Sequence, residues 1–194
     1  MRYVFTLLFI AGCWASAGAA ELRGFLLTKD NYQLTGYFNI ISYAPTGNLI
    51  TFTNDFGDVY SIQPQLVKGF GFSLDGLNYR FISRYHEGQW FFLRLELDGR
   101  ALRLFSLPDG KDQWVDDTML QLFTVPPPGY WFEYDKQELL GIPRTGFKRT
   151  LREFFRDRAP GLAQKIGKRG YRYKDIREIV TAYNELKGSR RRRL

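Results

Sequence analysis

Acidic side chains are the groups in this sequence whose type and spacing come closest to the needs of an enzyme. Four of them share one short segment: Asp109, Asp112, Asp116 and Asp117. Two more, Glu133 and Asp135, stand at the end of a predicted strand. Paired carboxyl groups could act as acid and base on a glycosidic bond, and an oxygen-rich loop could bind calcium. The spacing departs from that of an EF-hand loop, so we predict solvated turns, no catalytic residue and no metal ligand.

The only histidine, His86, lies close in sequence to Ser83 and Glu87. These residue types could form a triad, but three residues so near each other on a short loop rarely reach triad geometry. We therefore interpret His86 as a solvated surface side chain. Cys13 is the only cysteine, so a thiolate nucleophile or a zinc site of His and Cys alone is not expected. Glycine-rich phosphate loops are also missing, and no cofactor is predicted.

The first residues of the chain have the composition of a signal peptide. A basic start precedes an apolar run from Tyr3 to Ala11 and a series of small residues that ends at Ala20. The apolar run is shorter than the roughly 20 residues that span a bilayer, and small residues after such a run are typical of a cleavage site. We predict a signal peptide at 1–20, a mature chain from Glu21 and no transmembrane span. The expected location is periplasmic, outer-envelope or secreted.

A second interpretation of the same segment is a lipoprotein signal. Ile10-Ala11-Gly12-Cys13 resembles a bacterial lipobox, in which Cys13 would carry the lipid. Two acyl chains are enough for stable membrane anchoring. Cys13 comes early, however, and the small residues after it would then have no purpose. Soluble export is favoured, and a lipid anchor at Cys13 stays the alternative.

The formal charge of +8 is predicted to lie mostly in a terminal tail. Arg2 leaves with the signal peptide, and without the last arginine run the rest of the chain carries +3. Runs of like charge are usually disordered and solvated, so we predict a disordered basic tail at 189–194. Such a tail could bind anionic lipid or polysaccharide by charge attraction, through Arg190, Arg191, Arg192 and Arg193. Specific nucleic-acid binding is not expected.

The segment 21–143 is predicted to be an antiparallel β domain. Turn residues interrupt a period of two at intervals typical of consecutive hairpins. One predicted strand places these residues on a single face: Tyr32, Leu34, Gly36, Phe38 and Ile40. Asp98-Gly99 is expected to form a type I′ turn. The segment from Val115 to Phe123 could be a short helix or a strand.

After Pro143 the apolar period changes from two to about 3.6, which indicates helices. Thr145 is a candidate cap for a helix whose apolar residues share one stripe: Phe147, Leu151, Phe154 and Phe155. A short helix after Pro160 and a third from about Lys174 to Leu186 follow. The sequence therefore predicts an α+β protein. Its antiparallel sheet or partly closed β-barrel is followed by a helical region at 144–188, two or three helices that pack on the sheet.

Four large aromatic residues on two predicted hairpins allow two interpretations. They are Trp90, Phe92, Tyr130 and Trp131. If sheet and helices cover both faces of these strands, the rings are core residues. If one face is open, they could form an exposed aromatic patch that binds sugar or a protein partner. The first interpretation is favoured, and the second is the candidate ligand site.

The order of a strand-rich front and a helical C-terminus resembles a group of exported proteins from Bacteroidetes-type bacteria for which no activity is assigned. The matching stretches are Leu34-Thr35-Gly36-Tyr37-Phe38, Val59-Tyr60-Ser61-Ile62, Val67-Lys68-Gly69-Phe70-Gly71-Phe72, Tyr130-Trp131-Phe132-Glu133-Tyr134, Tyr173-Lys174-Asp175-Ile176, Ile179-Val180 and Tyr183-Asn184. The resemblance covers most of the mature chain. The resemblance implies a bacterial envelope protein, and it assigns no functional residues.

These observations favour an exported, non-catalytic envelope protein. It would serve as a binding or structural module for a partner that the sequence does not name, an envelope protein or a glycan. Two alternatives remain open. One is a carboxylate-dependent hydrolase that acts on polysaccharide, and the other is a binder of anionic surfaces through the arginine run.

Overall fold

The computed structural model describes residues 22–123, 125–135 and 138–191. The predicted signal peptide, with Cys13, lies outside the described residues, as do Glu21, Arg192 and Arg193. The fold is α+β, as predicted, with a mostly antiparallel sheet followed by helices. Within the described ranges, no helix combines the length and the apolar composition that crossing a bilayer requires.

Within the described residues, eleven strands form one sheet. They are β1 (Leu22–Thr28), β2 (Gln33–Ala44), β3 (Gly47–Asn54), β4 (Val59–Ile62), β5 (Val67–Leu74), β6 (Leu77–His86), β7 (Gln89–Leu97), β8 (Arg103–Ser106), β9 (Val115–Asp116), β10 (Tyr130–Tyr134) and β11 (Glu138–Ile142). The α-helices are α1 (Phe147–Arg158), α2 (Pro160–Ala163) and α3 (Ile176–Arg191). Short 3₁₀ helices cover Pro64–Leu66, Thr118–Leu122 and Tyr173–Asp175.

Six of the strands form a partly closed ring in the order β3-β2-β1-β5-β6-β7, because β7 also pairs with β3. The sheet continues beyond β7 through β8 and β10 to β11, while β4 pairs with β3 at the other end of the path. Consecutive hairpins supply most of these pairings, as the turn residues predict. The hairpin between β5 and β6 turns at Asp75 and Gly76, which both have positive φ.

The seam between β3 and β7 is closed mainly by one side chain. Gly47 is the only residue of β3 that pairs with β7, opposite Trp90. A β-carbon on Gly47 would overlap the Trp90 carbonyl oxygen, and its φ of 133° disfavours other residues. Next to this pair, the side-chain amide of the buried Asn48 makes the hydrogen bonds to β7 that backbone groups of β3 would otherwise make. Its Oδ1 accepts from the Phe92 N–H at 2.7 Å, and its Nδ2 donates to the Phe92 carbonyl at 3.2 Å.

In the part of the chain that the structure describes, buried apolar side chains form three clusters. The first fills the ring, where Phe70 stacks on Phe81 and contacts Phe38, and Trp114 packs against Phe72. The second joins the helices to β8, β10 and β11 through Leu104, Phe132 and Ile142. The third lies around Phe91, Leu93, Phe105 and Trp131. The helices are thus part of the core, since each buried Phe, Leu or Ile contributes about 1.5 to 3 kcal/mol.

Two details of the predicted strands are wrong. The face predicted for β2 does not hold along the strand, because a register shift between Phe38 and Ile41 moves the buried position from Ile40 to Ile41. Neither Asp98 nor Gly99 has positive φ, so the predicted type I′ turn is absent. A β-carbon on Gly99 would instead overlap the side chain of Asn184.

Asn184 connects α3 with the loop between β7 and β8. Its Oδ1 accepts from the Ala101 and Leu102 N–H groups at 3.0 Å each, and its Nδ2 donates to the Leu102 carbonyl at 2.8 Å. The loop therefore obtains from a helix side chain the hydrogen bonds that a tight turn would have supplied. Asn184 and this loop are more than eighty positions apart in the chain, so no local sequence pattern indicates the contact.

The boundaries of the helices also differ from the prediction. The residue before α1 is Gly146, with φ of 87° and no side-chain cap, so Thr145 does not cap this helix. Helix α3 continues through Gly188 to Arg191, because an exposed glycine costs a helix only about 1 kcal/mol. The segment from Val115 to Phe123, for which a helix or a strand was predicted, contains both: the short strand β9 and a 3₁₀ helix from Thr118.

Candidate functional site

The four aromatic candidates lie in separate places, not on one open surface. Phe92 and Trp131 are 0% exposed and belong to different clusters. Trp90 is half-buried against Tyr85, and Tyr130 packs against Tyr173 at the edge of the helical layer. An exposed patch of all four side chains is therefore not formed, and at least two of them are core residues.

His86 and Ser83 lie three positions apart on β6, so they point to opposite sides of the sheet. The Ser83 hydroxyl donates to the Pro64 carbonyl oxygen inside the fold. His86 packs edge-on against Trp131, and its side chain is only 14% exposed. The interpretation of His86 as a solvated surface residue is therefore wrong, and no triad forms between Ser83 and His86. The sequence did not reveal this because β6 extends to His86 instead of ending in a loop.

The burial of His86 predicts a dependence of stability on pH. Burial lowers the pKa of His86, and the nearby Glu87 opposes this only in part. Above the ordinary histidine pKa of about 6.5, the side chain is neutral in both states. Below it, the unfolded chain binds the proton more readily, so the free energy of unfolding should fall between about pH 6.5 and pH 5.

Urea unfolding of the native chain and of His86→Gln at pH 7.5 and pH 5.5 measures this dependence. The variant should lose less stability on acidification than the native chain, because its side chain does not titrate. An equal loss in both proteins would contradict the prediction.

Among the described carboxylates, Glu133 is the most buried, and two arginines bind it. Arg84 donates to its Oε1 through Nε at 2.6 Å, with Nη2 also at 2.6 Å, and Arg103 donates to its Oε2 at 3.0 Å. The side chain is 4% exposed. Because both oxygens are engaged by cations, this carboxylate serves to neutralise buried charge, a structural role that leaves it unsuited to acid–base work.

The four aspartates predicted as solvated turns make mostly local contacts. Asp109 contacts Lys111 at 2.6 Å, Asp116 accepts from the Thr118 N–H, and Asp117 accepts from the Gly110 N–H. Asp112 reaches further, to Arg94 at 2.9 Å, and burial raises its pKa while Arg94 opposes this. Among the residues that the structure describes, no three His, Cys, Asp or Glu side chains form a metal-binding group.

Charge is divided unevenly between the two parts of the chain. Residues 22–142 contain 10 Lys or Arg against 14 Asp or Glu, a net charge of −4. Residues 143–194 contain 17 against 5, a net charge of +12. Without the last four arginines the second part still carries +8, from 13 against 5. The prediction that the excess lies mostly in a tail missed this division.

The exposed side of α1 carries much of this positive charge. Lys148, Arg149, Arg152 and Arg156 recur at helical spacing on the side that faces solvent. The stem of Lys148 lies against Gly167, which brings the next two cations beside the helix. We call this set the basic helix surface: Lys148, Arg149, Arg152, Arg156, Lys168 and Arg169.

Most cations of the basic helix surface are uncompensated. Arg156 lies 3.5 Å from Glu153, and Arg152 donates to the Ile166 carbonyl at 3.0 Å. Apart from Arg156, no member of the set forms an ion pair within the described part of the chain. Like charges held this close raise the local potential, and an external anion would lower it.

Two grooves lie on either side of α2. The α1–α2 groove, of about 700 Å³, is lined by five charged residues of α1 together with Ala163 and Gln164. The α2–α3 groove, of about 530 Å³, has apolar lining residues that include Leu162 and Ala182. Its cations are Arg158, Lys165 and Lys187. The helical layer therefore presents a cationic surface with an apolar groove beside α2.

The predicted arginine site is described only in part. The backbone of Arg190 and Arg191 belongs to α3, and Arg192 and Arg193 lie outside the described residues. Helix α3 therefore carries the start of the arginine run in continuity with the basic helical layer. Comparison of the chain with protein families, with curated proteins and with solved structures finds no match. The resemblance to exported Bacteroidetes-type proteins stays a prediction, and function is argued from geometry and charge.

Proposed function

We propose that this protein is an exported, non-catalytic module of the bacterial envelope that binds the anionic surface of a membrane through its helical layer. The composition of residues 1–20 supports export. The uncompensated cations of the basic helix surface carry the proposal of membrane binding. The sheet, with its net charge of −4, would face away from the lipid, where an envelope protein or a glycan could be its partner.

The magnitude of the attraction supports this function. A lysine or arginine near an anionic bilayer contributes about 1 kcal/mol. Five cations without an ion pair would together give substantial binding, even after the cost of restricting the protein to the surface. An acidic sheet and a basic helical layer also orient the molecule, because the membrane field attracts one part and repels the other.

The carboxylate-dependent hydrolase has less support. A catalytic acid needs a carboxyl group that is free to exchange a proton with substrate. Glu133 is engaged by two arginines, and Asp112 is engaged by Arg94. A surface that attracts anions requires no such group, and its cations are already exposed.

Reversing two exposed charges tests membrane binding. Arg149→Glu combined with Arg169→Glu should weaken binding to vesicles of phosphatidylglycerol and phosphatidylethanolamine by at least about tenfold, since each site changes from attraction to repulsion. Co-sedimentation with sucrose-loaded vesicles measures the affinity. Binding of the native chain should weaken as salt increases and should be small on vesicles of phosphatidylcholine alone.

The matched control carries the same change of charge on the sheet. Lys29→Glu combined with Arg80→Glu alters two exposed residues outside the helices and should change vesicle affinity by less than about threefold, well within the loss expected above. An equal loss in both double variants would mean that net charge alone matters. Tight binding to duplex DNA without binding to vesicles would also overturn the proposal.

A further inference from the structure

The α2–α3 groove combines an apolar wall with a cationic rim. Its volume of about 530 Å³ falls within the range of about 300 to 1,000 Å³ that small-molecule sites occupy. Ala159 and Leu162 form the buried floor at 8% and 4% exposure, and Ala182 stands on the opposite wall. The floor continues the second apolar cluster, so the groove is an extension of the core that reaches solvent.

Three cations surround this groove, and aromatic rings hold them in place. Arg158 lies over Phe154 at 4.7 Å, Lys165 over Tyr171 at 5.5 Å and Lys187 over Tyr183 at 5.4 Å. In each contact the charged group itself lies over the face of the ring, which restricts where that group can be. The three charged groups are therefore held beside the groove that their residues line.

The charge at the mouth is largely unneutralised. Arg158 lies 3.7 Å from Asp135, whereas Lys165 and Lys187 form no ion pair with any residue in the described ranges. Glu185 is the single acidic residue among those that line the groove. An occupant that matches both parts of the site has an apolar portion for the walls and an anionic group for the rim.

We propose that the α2–α3 groove binds one acyl chain of an anionic phospholipid, whose phosphate contacts Lys165 and Lys187. This inference rests on the proposed membrane function and adds a specific lipid site to it. Position supports the assignment, because α2 separates the groove from the basic helix surface. Ala163 and Gln164 line the α1–α2 groove on one side of α2, and Leu162 and Lys165 line the α2–α3 groove on the other. A bilayer held against the basic surface thus lies beside the mouth of the groove.

Filling the groove tests the site. Gly161 lines it, and a β-carbon there meets no atom within 4 Å, so Gly161→Leu fits without a clash and adds an apolar side chain at the groove. Isothermal titration with dihexanoyl-phosphatidylglycerol, kept below its micellar concentration, measures binding of a single lipid. The variant should bind at least about tenfold more weakly, the loss expected when an occupied apolar pocket is blocked. Ala182→Trp, from the opposite wall, should give the same loss.

A matched control separates groove filling from a general effect of a larger residue. Gly188 is exposed on α3, also has open space around it and does not line the groove. Gly188→Leu should bind the lipid like the native chain. Glycerol 3-phosphate, which has no acyl chain, and dihexanoyl-phosphatidylcholine, which has no net charge, should both bind far more weakly than the anionic lipid.

The outcomes distinguish this site from the proposed function. Only the proposal of a lipid site is contradicted if the protein binds vesicles but Gly161→Leu and Ala182→Trp bind the short lipid like the native chain. It also fails if glycerol 3-phosphate binds as tightly as the lipid. Only the proposed membrane function is contradicted if the protein binds the short lipid but does not bind anionic vesicles. Arg149→Glu with Arg169→Glu should reduce vesicle binding and leave the affinity for the single short lipid within about threefold, because neither residue lines this groove.

Discussion

Replacing Glu133 with leucine is expected to lower the free energy of unfolding by about 3 to 5 kcal/mol. Among the described residues, the change leaves Arg84, whose side chain is 17% exposed and lies over the Phe105 ring, with no carboxylate, although it keeps its hydrogen bond to the Ser83 carbonyl. A buried cation without a counter-ion keeps most of the cost of leaving water. Arg103 is less affected because it retains Asp98 at 2.7 Å. Urea unfolding at pH 7 measures the difference.

An exposed glutamate provides the control for this effect. Glu153 is 69% exposed and lies 3.5 Å from Arg156 on the same helix, so Glu153→Leu should change stability by about 0.5 kcal/mol or less. Removing the cation as well, in Arg84→Met with Glu133→Leu, should restore most of the lost stability, since an apolar pair tolerates burial. A fully stable single variant, or a double variant no better than it, would contradict the role assigned to Glu133.

Asn48→Ala should also destabilise the fold strongly, by about 2 to 4 kcal/mol. The Asn48 amide is the only partner shown across the seam for the N–H and carbonyl of Phe92, a residue with 0% exposure. Removing the amide leaves both buried backbone groups without hydrogen bonds, and each such group costs about 1 to 3 kcal/mol. Thermal and urea unfolding should show the loss without a change of fold class.

Asn78 is the matched control for Asn48. It is exposed in β6 and accepts one hydrogen bond from the Ser73 hydroxyl at 2.6 Å. Asn78→Ala should therefore change the free energy of unfolding by about 0.5 kcal/mol or less. Similar losses at both positions would show that Asn48 does not hold the seam.

The predictable part of the fold is the part that local chemistry determines. The hairpins of β3 with β4, β5 with β6, and β10 with β11 follow from alternation and turn residues. The stripe of α1 follows from its spacing, and Leu151, Phe154 and Phe155 are buried as expected. Each of these features depends on residues that are near each other in the chain.

Long-range contacts explain what the sequence did not predict. The seam depends on Asn48 and Phe92, and the loop after β7 depends on Asn184. A polar residue that replaces part of a backbone ladder looks like any other asparagine until the fold brings its partner close. The shift in β2 likewise arises where the strand meets β3, and alternation alone gives no indication of it.

The candidate site was hidden for a different reason. Its charges are all present in the sequence, but a single net charge of +8 combines an acidic sheet with a basic helical layer. Counting charge separately on each side of Pro143 would have revealed the division. The positions of side chains were needed to identify the cations that lack an ion pair. They were also needed to show that α2 separates two grooves.

The ring has a consequence for the order in which the protein can fold. β1 pairs with β2 and with β5, and β3 can meet β7 only once the chain as far as Trp90 has reached the compartment in which it folds. Until then the strands β1 to β6 exist with the interior of the ring exposed. Pairings over such separations slow folding. The incomplete ring is thus most exposed to misassociation before β7 joins it, and a chaperone that protects this intermediate would raise the yield of folded protein.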